Sequence, residues 1–143
     1  MEIGRALIGL DLPAFDWNEE YHRLLVLTGQ LSERMVDAEL ADAVEQLPAG
    51  DRIAVVGCGG VLPESLPPAI VLDYDRRLLA RATASGRHAG RHALGLYTLL
   101  AERSVDTVII TSRLAPLWPR WREHLLAEAY RIGRTVVCTF PTS

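Results

Sequence analysis

Lysine is absent from the chain, and all fifteen basic residues are arginine. That absence excludes a lysine nucleophile or a Schiff base. It reads as GC-rich coding DNA more than as a functional choice. Cysteine is scarce, with only Cys58 and Cys138. Both fall in or beside apolar runs, so they read as buried, reduced thiols and not as a disulfide or a metal pair. No apolar run approaches membrane-spanning length. Met1-Glu2-Ile3-Gly4-Arg5 lacks the apolar core and small-residue cleavage site of a secretory leader. A cytoplasmic protein without membrane contact is expected. A basic excess is also missing: the formal net charge is −3, and bulk electrostatics does not favour nucleic acid. At 143 residues the chain suits one domain with a real core and is too short for two.

What the chain does have is a short apolar run ending in glycines, Ile53-Ala54-Val55-Val56-Gly57-Cys58-Gly59-Gly60. A second run, Ala69-Ile70-Val71-Leu72-Asp73, ends in a carboxylate. Continuous apolar character of this kind fits parallel strands covered on both faces. Strand, glycine turn, return crossover and a second strand ending in an acid is the order in which an α/β sheet binds a ribose-bearing cofactor. The glycines let the backbone approach the ligand, and the acid takes the ribose hydroxyls. The plainer reading is a tight turn without a ligand, with Asp73 a surface acid at a strand end.

Asp16-Trp17-Asn18-Glu19 has the form of a capping box. Apolar residues then recur at three- and four-residue steps from Tyr21 to Leu47, which predicts an N-terminal helical segment. Gly29 divides it, Ser32 caps a second helix, and Pro48-Ala49-Gly50-Asp51 stops it. Pro63, Pro67 and Pro68 leave room for about one helical turn in the first crossover. A helix begins at Arg76 and ends near Ser85-Gly86, and a short third strand lies within residues 87–95. A helix is expected over 96–103, a fourth strand over 105–111, an irregular apolar loop over 112–119, an amphipathic helix over 121–132 and a fifth strand over 135–140. This alternation predicts an α/β protein, a three-layer sandwich with a mostly parallel, Rossmann-like sheet of about five strands. Ligands in such sheets bind at the carboxyl ends of the strands, where strand order reverses. That rule gathers the Gly57-Cys58-Gly59-Gly60 turn, Asp73, the loop after Leu94 and the loop at 112–118 around one cleft.

Taken in this order, the runs resemble class I S-adenosylmethionine-dependent methyltransferases. Val55-Val56-Gly57-Cys58-Gly59-Gly60 is similar to the family's first motif. Asp73-Tyr74-Asp75-Arg76-Arg77-Leu78-Leu79-Ala80-Arg81-Ala82 is similar to its second-strand acid and the helix after it. Val105-Asp106-Thr107-Val108-Ile109-Ile110 resembles its fourth strand; residues 121–132, Gly133 and residues 135–140 resemble its next helix, turn and fifth strand. Phe15-Asp16-Trp17-Asn18-Glu19-Glu20-Tyr21 resembles an N-terminal segment that closes over the cofactor. The resemblance covers most of residues 15–141. It implies one methyltransferase-like domain over 1–143, with an N-terminal helical segment over 1–50 and a Rossmann-like core over 51–143.

The resemblance also implies S-adenosylmethionine as cofactor, bound by Gly57, Cys58, Gly59, Gly60, Asp73, Tyr74 and Tyr21. Gly57 and Gly59 approach its amino-acid portion, Asp73 holds the ribose hydroxyls, Tyr74 lies on one face of the adenine, and Tyr21 covers the methionine end. The chain departs from the pattern at Val55, where an acid is usual, and at Val61, where a third glycine is usual. No acid follows the third strand near Leu94-Gly95. The family's helix and antiparallel strand pair beyond the fifth strand have no counterpart here. A strand at Arg5-Ala6-Leu7-Ile8-Gly9-Leu10, or a second subunit, is expected to cover the exposed edge, which implies a homodimer or a hetero-oligomer.

The remaining candidates read as structural. His88 and His92 flank Ala89-Gly90-Arg91, a poor helix, with no third ligand, so no metal is expected. His124 reads as a solvent-facing helix residue more than as a catalytic base. Trp118 and Trp121 read as an acceptor-pocket wall, or equally as a hydrophobic contact or subunit interface. Arg76 and Arg77 read as a solvated helix start. No catalytic residue can be assigned from spacing.

Two functions follow. The first is methyl transfer to a small-molecule acceptor, where positioning supplies most of the rate and no catalytic motif is needed. The second is a catalytically inactive or repurposed methyltransferase-like subunit, acting through a protein partner or on another small-molecule reaction. Nicotinamide dinucleotide binding is disfavoured, because the interval from Gly57 to Asp73 is too short for a full crossover helix.

Overall fold

The computed structural model describes residues 33–142. The expected strand near Arg5, the capping box, the closing segment and Tyr21 lie outside the described residues. The elements are α1 (Glu33–Glu45), β1 (Ile53–Val56), β2 (Ile70–Asp73), α2 (Arg76–Ala82), β3 (Ala89–His92), β4 (Thr107–Ile110), α3 (Trp118–Ile132) and β5 (Thr135–Cys138). Five strands pair in parallel in the order β3-β2-β1-β4-β5. Among the described residues no helix is long and apolar enough to cross a membrane.

Alternation along the central strands builds the layers. Ile53, Val55, Val71 and Ile109 share one core with Leu40 and Val44 of α1, Ala82 of α2, and Leu66. Ala54, Val56, Leu72, Val108 and Ile110 face the other way, onto Trp121, Leu125, Ala129 and Ile132 of α3. Every residue of β1 and β4 is buried, as a strand with helices on both faces requires. Each large apolar side chain placed there stabilises the fold by about 1.5–3 kcal/mol relative to leaving it in water. α2 starts where Asp75 accepts hydrogen bonds from the Arg77 and Leu78 amides at 2.9 and 3.4 Å.

The first crossover holds a single hydrogen-bonded turn and no helix, which is all that its three prolines leave room for. Its prolines cannot donate, and the chain runs as a loop closed by the Leu66 amide on the Pro63 carbonyl at 3.1 Å. The carbonyls that a helix would have used are met instead by Arg87, whose Nη2 donates to Leu66 O at 2.8 Å.

The expected helix over 96–103 is absent. Leu94 and Tyr97 form an antiparallel bridge, and Leu99 and Arg103 sit at φ +63° and +57°. The cause lies thirty residues away on α3. Buried Glu128 accepts from both the Thr98 amide, at 2.8 Å, and the Thr98 hydroxyl, at 2.7 Å. Arg131 closes the network with bonds of 2.7 and 2.9 Å to Glu128 and 2.7 Å to the Leu100 carbonyl. A helix would spend the same backbone groups on itself and leave the carboxylate short of donors. Burial raises the Glu128 pKa, but the Arg131 and Thr98 donors outweigh it and hold the carboxyl below its ordinary value.

His88 carries a pH-dependent tie. It is buried, and its Nδ1 accepts from the Ala69 amide at 3.1 Å, so Nδ1 must be unprotonated. Burial, then the neighbouring Arg87 charge, lowers its pKa below the ordinary 6.5. The folded protein therefore binds fewer protons here than the unfolded chain. The stabilisation is present above about pH 6.5 and is lost as pH falls through the folded-state value. Thermal unfolding of the parent and of His88→Leu, followed from pH 8 downward, should lose part of its pH dependence in the variant. An unchanged profile would contradict this assignment.

Candidate functional site

The strand order reverses between β1 and β4, so the crevice of this sheet opens above their carboxyl ends. Gly57, Asp73, Tyr74, Ala93, Leu94, Gly95, Arg113 and Leu114 line one cleft there. These come from all four segments that the sequence pattern gathers.

Gly57 adopts φ +79°, a left-handed conformation that costs other residues about 1–2 kcal/mol. A Cβ on it would also lie 2.9 Å from Thr111 Oγ1. That hydroxyl donates to the Gly57 carbonyl and ties the turn to the end of β4. The Gly57 and Cys58 amides both donate to Leu72 O, at 2.8 and 2.9 Å. The glycine turn is thus fastened to both neighbouring strands.

Asp73 is the hub. It is 4% exposed. Its Oδ2 accepts from the Gly59 amide at 3.0 Å and from Arg113 Nε at 3.0 Å, and its Oδ1 accepts from the Asp75 amide at 2.9 Å. The Arg113 side chain is 11% exposed. Its stem lies across the open face of the turn: a Cβ on Gly57 would meet Arg113 Cβ at 3.3 Å, and one on Gly59 would meet Arg113 Cδ at 3.4 Å. Neither Arg113 nor Thr111 has a role in the sequence pattern, which places Thr111 at the end of the fourth strand and Arg113 in the apolar loop beside the cleft. The available signal was a lone basic residue just beyond the clearest strand.

The other expected site residues are placed as follows. Cys58 is wholly buried in the α1-side core, and Gly60 packs under Leu78 and Arg81; neither is among the cleft-lining residues. Burial, then the Asp73 charge, keeps the Cys58 thiol protonated far above the ordinary thiol range. Tyr74 stacks its ring on His92, with centroids 5.2 Å apart and planes at 23°, so one of its faces is already covered. His92 Nε2 lies 2.8 Å from the Tyr74 carbonyl, while His88 serves Ala69. Among the described residues no group of three metal-ligating side chains converges. Trp118 and Trp121 belong to the α3-side core and line no part of the cleft. His124 is half-buried against Trp121, with ring centroids 5.4 Å apart, and is not solvent-facing; α3 starts at Trp118, earlier than the pattern suggested, because the 3-10 helix Ser112–Leu117 leads straight into it. Cys58 and Cys138 are free thiols.

As placed, these residues do not fit an adenosyl group. Arg113 holds Asp73 Oδ2 and its stem covers the glycine turn, while Oδ1 has the Asp75 amide as its one partner.

No family model matches the chain. It is 35% identical over 111 residues to the validoxylamine A glucosyltransferase of Streptomyces hygroscopicus subsp. limoneus, a match that covers 69% of this chain and 24% of that protein. The chain spans about a quarter of the length of the curated relatives it matches. Among solved structures it is similar to an S-adenosylmethionine-dependent methyltransferase of Thermotoga maritima, with a TM-score of 0.56, 20% identity, and coverage of 85% of this chain and 57% of that one. It is also similar to the cyclase SpnF, with a TM-score of 0.58, 17% identity, and coverage of 73% and 44%. The parallel sheet with helices on both faces, the glycine turn after β1 and the acid ending β2 give this chain the fold of the class I S-adenosylmethionine-dependent methyltransferases.

Proposed function

We propose that the chain is a methyltransferase-fold module that does not itself transfer methyl groups and serves as a binding or contact unit beside another transferase. The observation that carries this reading is the closed cleft, with Asp73 held by Arg113, Gly59 and Asp75. The energies of opening the site are near balance. Breaking a buried ion pair costs about 3–5 kcal/mol. Two ribose hydroxyls on the same carboxylate return about 1.5–3 kcal/mol each before their own desolvation. The exchange yields little, and the cofactor would still need space that the Arg113 stem fills.

Likeness to a glucosyltransferase about three times as long supports a place beside a sugar-transferring enzyme. The same fold in a protein named as a cyclase supports a use other than methylation. Two free thiols suit a reducing, cytoplasmic setting. Among the described residues β3 and β5 are edge strands, and either offers backbone groups to a protein partner or a second copy.

A second reading is S-adenosylmethionine-dependent methyl transfer to a small molecule. It is favoured by Gly57, Gly59 and Asp73 standing together at the switch point. Calorimetric titration of S-adenosylmethionine into the protein separates the two. No saturable heat is expected up to millimolar cofactor. Saturable binding that disappears in Asp73→Asn would replace the first reading by the second.

A further inference from the structure

We infer that Arg113 sets the ligand class of the cleft: it closes the site to ribose-bearing ligands by holding the Asp73 carboxylate and covering the glycine turn. This rests on the reading that the parent cleft does not take the cofactor, and it names the residue responsible.

Two observations point to the same side chain. The first is the pairing itself, Arg113 Nε to Asp73 Oδ2 at 3.0 Å, between groups 11% and 5% exposed. A ribose diol would have to share with this guanidinium a carboxylate whose Oδ2 it already holds. The second is steric and does not depend on charge. Glycine turns admit a ligand because no side chain covers them. Here the Arg113 stem lies at contact distance from the positions where side chains on Gly57 and Gly59 would begin. The room left by the two glycines is filled from the segment after β4.

The rest of the ribose-binding apparatus remains in place without Arg113. Asp73 keeps the Gly59 and Asp75 amides, which fix the carboxylate in the wall of the cleft. The turn keeps its Thr111 and Leu72 bonds. Both of these sets are independent of the guanidinium. Arg113 contributes one side-chain hydrogen bond to them and takes up the space. Truncating it therefore frees a carboxylate that is already oriented.

The test uses adenosine, 2′,3′-dideoxyadenosine and S-adenosylhomocysteine, titrated into the parent, Arg113→Ala and Arg113→Gln. The variants should bind adenosine and S-adenosylhomocysteine at least tenfold more tightly than the parent. Dideoxyadenosine should gain clearly less than adenosine, because it profits from the space alone, and Asp73→Asn added to Arg113→Ala should reduce the adenosine gain to that level. Arg113→Gln serves if Arg113→Ala does not fold, since glutamine retains a donor near Asp73. Parent protein that binds as tightly as the variants overturns the proposed function and this inference together. A silent parent with folded, equally silent variants overturns this inference alone. Failure of both variants to fold makes the pair a structural tie and also overturns it.

Discussion

Asp73→Ala is expected to lower the unfolding free energy by about 3–5 kcal/mol, the cost of leaving one half of a buried ion pair without its partner. Three donors lose their acceptor at once: the Gly59 amide, the Asp75 amide and Arg113 Nε. Arg113 cannot return to water in place, because its side chain is only 11% exposed. The loss is a large share of the roughly 5–15 kcal/mol that holds a domain of ordinary stability. Urea unfolding should show a lower midpoint with an unchanged slope. Combined with Arg113→Ala, the two substitutions should be non-additive by about 0.5–3 kcal/mol, as directly paired groups are. A cost below about 0.5 kcal/mol, the level of an ordinary surface substitution, would mean that Asp73 is solvated and the cleft open.

Glu128→Ala is expected to cost about 2–4 kcal/mol, chiefly because the buried Thr98 amide loses its acceptor. Arg131 contributes less to that figure, since its side chain is 38% exposed and can be hydrated. Glu128→Gln should cost less, because an amide oxygen can still accept. The pH dependence has a definite sign. The folded-state pKa of Glu128 lies below its ordinary 4.5, so its stabilisation is complete above that value and is lost as pH falls through the folded one. The difference between the parent and Glu128→Gln in urea unfolding should therefore shrink in acid. A difference that stays constant from neutral pH to well below pH 4 would contradict the network.

The central sheet was legible because its signal is local. Ile53-Ala54-Val55-Val56 and Val108-Ile109-Ile110 are short, rich in β-branched residues and apolar without interruption, as a strand covered on both faces requires. The cleft was legible for a related reason: the parallel order of the strands and the glycines after β1 fix which chain ends meet. What stayed hidden depends on partners far along the chain. Leu96, Leu99 and Leu100 carry helical spacing, yet Leu99 is 53% exposed at φ +63° while Leu96 and Leu100 are buried. The requirement of Glu128 for donors overrides that local preference. Arg113 is one arginine among fifteen, and its partner lies forty positions away. Nothing in Ser112-Arg113-Leu114 indicates that the guanidinium turns inward to Asp73. The acid at the end of β2 was visible as a ligand group; its internal donors were not.

The measurement that bears most directly on the closed cleft is the Arg113 Nε–H signal in a proton–nitrogen correlation spectrum, followed as S-adenosylhomocysteine is added. A guanidinium held by Asp73 in a dry contact gives a signal protected from exchange with water. That signal should disappear or move in Asp73→Asn and should stay where it is up to millimolar ligand. A signal that exchanges freely in the parent protein, or that shifts saturably as ligand is added, would mean that Arg113 does not close the site.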